Sequence, residues 1–276
     1  MFGKRPDGHK IENLSRMRAF MPFVSPRRND ALVLYTTEIE VDEAIAFVER
    51  YNEGREENRR MTLFHLYLRA LAMAYHARPN VNRFVAGGRL WQRNHVAITF
   101  TAKQSLEDGA PMHTVKRVFP EDETLEEMVD SIMGRIRKRR SGEVTTSDKE
   151  INLAMMMPVF VTRAAVWLLH KANMLHLLPK KMIDDDPLFT SVFIANLGSV
   201  GLDAGYHHLW EYGTCSIFSV LGRVHTRADG EQIMRVKYSY DERIEDGLYA
   251  AITLQGIKER LQDPDRLLPP STKKPN

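Results

Sequence analysis

Near the C-terminal end the spacing of apolar residues changes period, and that change constrains the fold more than any other feature. Met234, Val236, Tyr238 and Tyr240 alternate, as on one face of a strand. Leu248, Ala251, Leu254, Ile257 and Leu261 recur every third or fourth residue, as on a helix. Between them lies Tyr240-Asp241-Glu242-Arg243-Ile244-Glu245-Asp246-Gly247, an acidic turn that contains a glycine. A strand–turn–helix of this kind sets side chains at a sheet edge, where sites tend to lie.

Upstream, the same two periods alternate. Leu32 to Val41 reads as a strand, with Val33, Tyr35, Thr37, Ile39 and Val41 on one side, and Asp42 is placed to cap a helix running to about Tyr51. Thr62 precedes an apolar helix over 63–77, which Arg78-Pro79-Asn80 ends. A hairpin is expected around Gly87-Gly88, then strands at His95–Thr101 and His113–Val118. Thr124-Leu125-Glu126-Glu127 is a capping box. Its helix ends in the basic run 135–140, either a solvated helix end or a seat for phosphates. Residues 141–149 read as a polar connector. The segment Leu153–Leu178 reads as a buried or interface helix, with Met155 to Met157 suited to adaptable packing. Strands follow at 190–196, 214–224 and 233–240.

Together these elements predict an α/β (α+β) two-layer sandwich, a mixed sheet carrying helices, as a single domain over residues 1–276. Residues 1–13 form an N-terminal arm and 263–276 a loose tail. A hydrophobic share of 43% allows a sizeable core, while a net charge of +3 is too small to argue for nucleic acid. Polar residues interrupt Leu153–Leu178, so no membrane span is expected, and membrane association is the lesser alternative to a buried or interface helix. Cys215 is the single cysteine, which excludes an internal disulfide and fits a reducing cytoplasm. It reads as a small buried apolar residue.

The acidic turn resembles the Asp-His-Arg-x-x-Asp-Gly signature of the chloramphenicol acetyltransferase and dihydrolipoyl acyltransferase superfamily. Asp241, Arg243, Asp246 and Gly247 match, and Glu242 stands at the histidine. Arg27-Arg28-Asn29-Asp30 before the first long strand, Arg78-Pro79-Asn80-Val81-Asn82 before the hairpin, and Ser191 to Gly198 are also similar to family segments. The last resembles the family's Thr-x-Ser-Asn-Leu-Gly strand. The resemblance spans roughly Arg16 to Leu261.

The resemblance implies homotrimers, with donor and acceptor meeting in a channel between subunits, and in some members larger cages. It implies acyl transfer from a coenzyme A or lipoyl thioester. Coenzyme A would be a substrate, with no covalently bound cofactor. No segment reads as a lipoyl or subunit-binding domain, so a lipoyl group is expected from another protein. The family's histidine is the general base and a serine or threonine steadies the oxyanion; those positions are Glu242 and Ala195 here. A base contributes roughly 10²–10⁴-fold and an oxyanion donor roughly 10²–10³-fold. Loss of standard activity, with an assembly role, is therefore expected; the alternative is an active enzyme using Glu242 or His208. Asp246 is expected to be structural, pairing with Arg16 or Arg18, beside Gly247 and Asn196.

The loop Tyr206-His207-His208-Leu209-Trp210-Glu211-Tyr212 has three readings: a relocated base at His207 or His208, a metal site with Glu211, or aromatic packing at an interface. No metal is expected. Asp184 to Asp186 reads as a turn before Pro187.

Overall fold

A computed structural model describes residues 4–103, 112–140 and 152–268. The connector 141–149 and the chain beyond 268 lie outside the described residues. Among the described residues nine strands form two sheets: β1 (Gly8–Lys10), β2 (Leu32–Glu40), β3 (Arg83–Ala86), β4 (Arg89–Arg93), β5 (Ala97–Lys103), β6 (Met112–Val118), β7 (Val192–Asn196), β8 (Ile217–Thr226) and β9 (Gln232–Asp241). The main sheet runs β2-β9-β8-β7-β5-β6, and a small one runs β1-β4-β3. Strand β7 is parallel to β5 and β8, while the other pairings are antiparallel, so the main sheet is mixed. The helices α1 (Arg16–Val24), α2 (Asp42–Asn52), α3 (Leu63–Ala77), α4 (Leu125–Arg140), α5 (Val159–Met174), α6 (Lys180–Asp185) and α7 (Gly247–Gln262) complete the described framework.

Alternation along the strands divides the core. Val192, Ile194, Ile217, Leu221, Val236 and Tyr238 face α3, α4 and α7 in one large cluster. Phe193, Phe218 and Val220 face the other way, where the loop residues Ala204 and Leu209 cover them. The sheet therefore has helices on one side and a long loop on the other, the expected two-layer mixed architecture. The hairpin forms at Gly87 and Gly88, whose φ values of +61° and +69° suit glycine.

Several local expectations are corrected. Asp42 opens α2 without capping it; its carboxylate accepts the Gln232 N–H at 3.0 Å, across from the end of β9. The buried stripe of α7 is Ala250, Thr253, Ile257 and Leu261, because tertiary contacts rotate the helix so that Leu248 is 73% exposed. The chain after Asp263 is not loose at once: Pro264–Leu267 forms a 3₁₀ turn and buries Leu267. The 153–178 segment is not one buried helix. It breaks at Pro158, and its first half is exposed within the chain. Among the described residues no helix is long and apolar enough to cross a membrane.

Candidate functional site

The acidic turn leaves β9 at Asp241, which lies opposite Leu32 of β2. Asp241 is fully buried and Arg243 nearly so. Arg243 donates to both Asp241 oxygens, Nε to Oδ1 and Nη2 to Oδ2, each at 2.8 Å. Its remaining nitrogen, Nη1, donates to the carbonyls of Ser25 and Pro26. Arg28 sits on the same carboxylate, Nε to Oδ2 at 3.7 Å, and donates to the Trp210 and Gly213 carbonyls. Burial pushes the Arg28 guanidinium below its ordinary pKa, and Asp241 opposes that shift. Two buried arginines thus hold one buried aspartate.

A second cluster holds the other end of the turn. Glu245 receives Arg18 Nη2 at 3.2 Å, Arg83 Nη1 at 2.5 Å and Asn80 Nδ2 at 2.9 Å. Arg18 also donates through Nη1 to the Glu242 carbonyl at 2.9 Å. Asp246 is exposed, and its side chain caps α7 by accepting the Tyr249 N–H at 2.9 Å. Arg18 approaches it only at 3.8 Å. Asp246 thus serves as the cap of α7, and the buried partner of Arg18 is Glu245. Gly247 begins α7 where an added Cβ would lie 3.4 Å from the Tyr35 hydroxyl.

Glu242 sits between the clusters. Its N–H donates to the Ala31 carbonyl at 3.0 Å and its carbonyl accepts Arg18, while its side chain is exposed. Arg243, its neighbour in sequence, is committed to Asp241. Burial raises the pKa of Tyr35, and the Glu242 and Asp246 charges add to that rise.

Ala195 lies elsewhere in the chain. It pairs with Val220, and Val220 pairs with Lys237, which precedes Glu242 by five residues. At about 3.4 Å per residue and about 4.8 Å between strands, roughly 20 Å separates Ala195 from Glu242. One chain cannot bring these two positions to one reacting atom. Asn196, next to Ala195, stabilises the turn after β7: its Oδ1 accepts the Ser199 N–H and its carbonyl accepts the Ser199 hydroxyl. Gly198 lets that turn close on β8, since an added Cβ would sit 2.5 Å from the Gly222 carbonyl oxygen.

The 206–212 loop packs as aromatics do. The His207 ring stacks on Phe218 at 4.0 Å and on His208 at 4.4 Å. Its Nδ1 donates to the His208 carbonyl at 2.7 Å, so Nδ1 carries the proton and Nε2 is the free base position. Burial lowers the His207 pKa. Ala195 packs against the same Phe193–Phe218 cluster. His208 is exposed. Glu211 is not placed as a metal ligand: its carboxylate accepts the Arg28 and Asn29 backbone N–H groups and the Asn29 side-chain amide. No group of three His, Cys, Asp or Glu that could hold a metal occurs among the described residues. Cys215 is buried and its thiol donates to the Ile217 carbonyl.

In the basic run, Arg135 lines a pocket of about 410 Å³ with Arg93, Lys116 and Lys180, while Arg137 lines a different one. The Arg139 and Arg140 side chains lie outside the described residues.

Residues 10–150, more than half of the chain, match the family described as 2-oxoacid dehydrogenases acyltransferase (catalytic domain). The chain belongs to this family. No curated protein sequence matches it. Solved acyltransferase structures share its fold. The dihydrolipoamide acetyltransferase of Azotobacter vinelandii, studied for a serine, a histidine and an asparagine in its catalytic mechanism, is 17% identical. That comparison covers 94% of each chain, with a TM-score of 0.60. The cubic core of a pyruvate dehydrogenase multienzyme complex is 16% identical, covering 94% of each chain, with a TM-score of 0.57. Chloramphenicol acetyltransferase is 12% identical, covering 92% of this chain and 99% of that one, with a TM-score of 0.56.

Sequence reading missed Glu245, the hub of the second cluster. Its signal was a third carboxylate in a turn that must enter the core, where an acid is retained only when paired. The partners Arg83 and Asn80 are distant in sequence, and no local pattern links them to the turn.

Proposed function

We propose that this acyltransferase-family domain forms a homotrimer, has lost the family's standard acyl transfer, and acts through assembly. The observation that carries the reading is the chemistry of the two positions. Glu242 presents an exposed carboxylate where the family resemblance places an imidazole, and Ala195 presents a methyl where it places a hydroxyl. Neither a ready base nor a side-chain oxyanion donor is then supplied, a combined deficit of roughly 10⁴–10⁷-fold if the two effects were independent. The separation of Glu242 from Ala195 supports a site shared between subunits, and hence the trimer. The relationship to a cubic multienzyme core supports trimers stacking into a larger particle.

A second reading is an active acyltransferase. It would take an acyl group from coenzyme A, or from a lipoyl arm carried by another chain. The observation in its favour is that both ion clusters holding the turn are complete, so Glu242 is presented on a rigid backbone. His207 is also held with Nε2 as the base, and His208 lies beside it.

The test is thiol release from acetyl-coenzyme A with a panel of acceptors, run alongside light scattering. The assembly reading expects trimers or larger particles without turnover, and turnover in Glu242→His with Ala195→Ser. Turnover by the unaltered protein that disappears in Glu242→Ala or His208→Ala would establish the second reading instead. A monodisperse single chain would overturn the trimer.

A further inference from the structure

Residues 153–161, Leu-Ala-Met-Met-Met-Pro-Val-Phe-Val, contain no polar side chain. A short helical turn beginning at residue 152 meets α5 through the break at Pro158, and the Thr162 hydroxyl ties the two by donating to the Ala154 carbonyl at 2.8 Å. The result is an apolar tip. Its base is fixed: Asn173 accepts Arg5 at its carbonyl and its side-chain oxygen, and Leu169 and Ala172 pack on Leu178, Ile183 and Phe189.

The tip itself is bare. Residues 155–160 are all exposed, and so are residues 163–168. Six consecutive residues exceed one helical turn of about 3.6, so over residues 163–168 no side of α5 is fully covered by the other described residues, although Val166 and Trp167 line a pocket with Glu211 and Tyr212. Met156, Val159 and Phe160 are each more than 70% exposed, and Trp167 is 61% exposed. Apart from Arg163, residues 163–168 are apolar on every side, and a helix surface of that kind belongs inside a protein or inside lipid. A flat protein partner covers one side of a helix, whereas hydrocarbon surrounds it.

The polar groups nearby fit lipid too. Arg163 and Trp167 lie in the second half of the tip and Lys171 just beyond it, with the Lys171 ammonium 5.7 Å from the Trp167 ring centre. From Val159 to Trp167 is about 12 Å along the axis at about 1.5 Å per residue. One leaflet's hydrocarbon is about 15 Å deep, half of a core of about 30 Å. With the tip in one leaflet, Trp167 and Lys171 sit at headgroup level, where such residues are enriched, and Arg163, one helical turn below Trp167, reaches that level through its long side chain. From residue 151 to 183 there is no Asp or Glu, and Arg163, Lys171, Lys180 and Lys181 are the charged residues, which favours an anionic surface. Lys180 and Lys181 are paired with Asp184 and Asp185, so Arg163 and Lys171 carry that preference.

We propose that the tip over residues 153–168 inserts into one leaflet of an anionic bilayer and docks the domain on a membrane surface. The inference does not rest on whether the acidic turn is catalytic.

The experiment is co-sedimentation of the full chain with phosphatidylcholine vesicles, with and without phosphatidylserine, together with Trp167 emission. The expected result is binding that strengthens with phosphatidylserine, and a blue shift that Trp167→Phe removes. Met156→Glu with Phe160→Glu should weaken binding by more than about tenfold, since two apolar side chains leave lipid. The same variant should keep the particle mass seen without lipid and the circular dichroism spectrum of the parent. Absence of binding to either vesicle, or unchanged binding by the double variant, overturns the proposal. So does a lower particle mass for the double variant, which would make the tip a contact between copies.

Discussion

Arg243 grips Asp241 through two hydrogen bonds of 2.8 Å, with both residues buried and the one residue between them, Glu242, in solvent. The pair aims the turn: neighbours on either side of Glu242 turn inward, so its own side chain is turned out. A carboxylate held in this way is presented, not packed.

Removing one partner of that pair should be costly. Asp241→Ala leaves Arg243 and Arg28 buried without their common counter-charge, and breaking a buried pair from one side costs about 3–5 kcal/mol. Urea unfolding should show a loss of that size, with turnover or assembly failing only as a consequence.

Glu242→Ala should leave stability within about 0.5 kcal/mol of the parent, as for an exposed side chain outside a cap or network. A larger loss in the isolated chain would show a contact that the fold does not provide. A loss seen only in the particle mass would place Glu242 at a subunit boundary.

Asp246 and Glu245 should separate cleanly. Asp246→Ala removes a helix cap and should cost about 1 kcal/mol. Glu245→Gln keeps the shape but leaves Arg18 and Arg83 facing each other without the anion that joins them, and should cost about 3 kcal/mol. Parallel denaturation curves check the ranking, and equal losses would contradict it.

The chain should weaken in mild acid through His65. Its Nδ1 accepts the Thr62 N–H at 3.1 Å at the start of α3, and burial pushes its pKa from 6.5 down to about 4. The folded value is below the unfolded one, so the unfolded chain binds the extra proton between pH 6.5 and 4. Stability is therefore full above pH 6.5 and falls as pH drops towards 4. The loss at pH 5 relative to pH 7 should be about 2 kcal/mol. His65→Asn, which retains an acceptor for Thr62, should flatten that part of the profile in urea titrations.

The sequence by itself determined the element order and the strand–turn–helix around Glu242. These rest on local periodicity: residues two apart share a strand face, and residues three or four apart share a helix face. It also set the identities at Glu242 and Ala195, a carboxylate and a methyl, whatever the fold. Tertiary structure alone decided which carboxylate is buried, because Glu245 is chosen by Arg18, Arg83 and Asn80, far away in the chain. It likewise turned Leu248 outward on α7 and left residues 163–168 exposed. Periodicity reports that a side is apolar. Only the packing of distant segments settles what lies against it, and at the tip of α5 the described chain leaves it exposed.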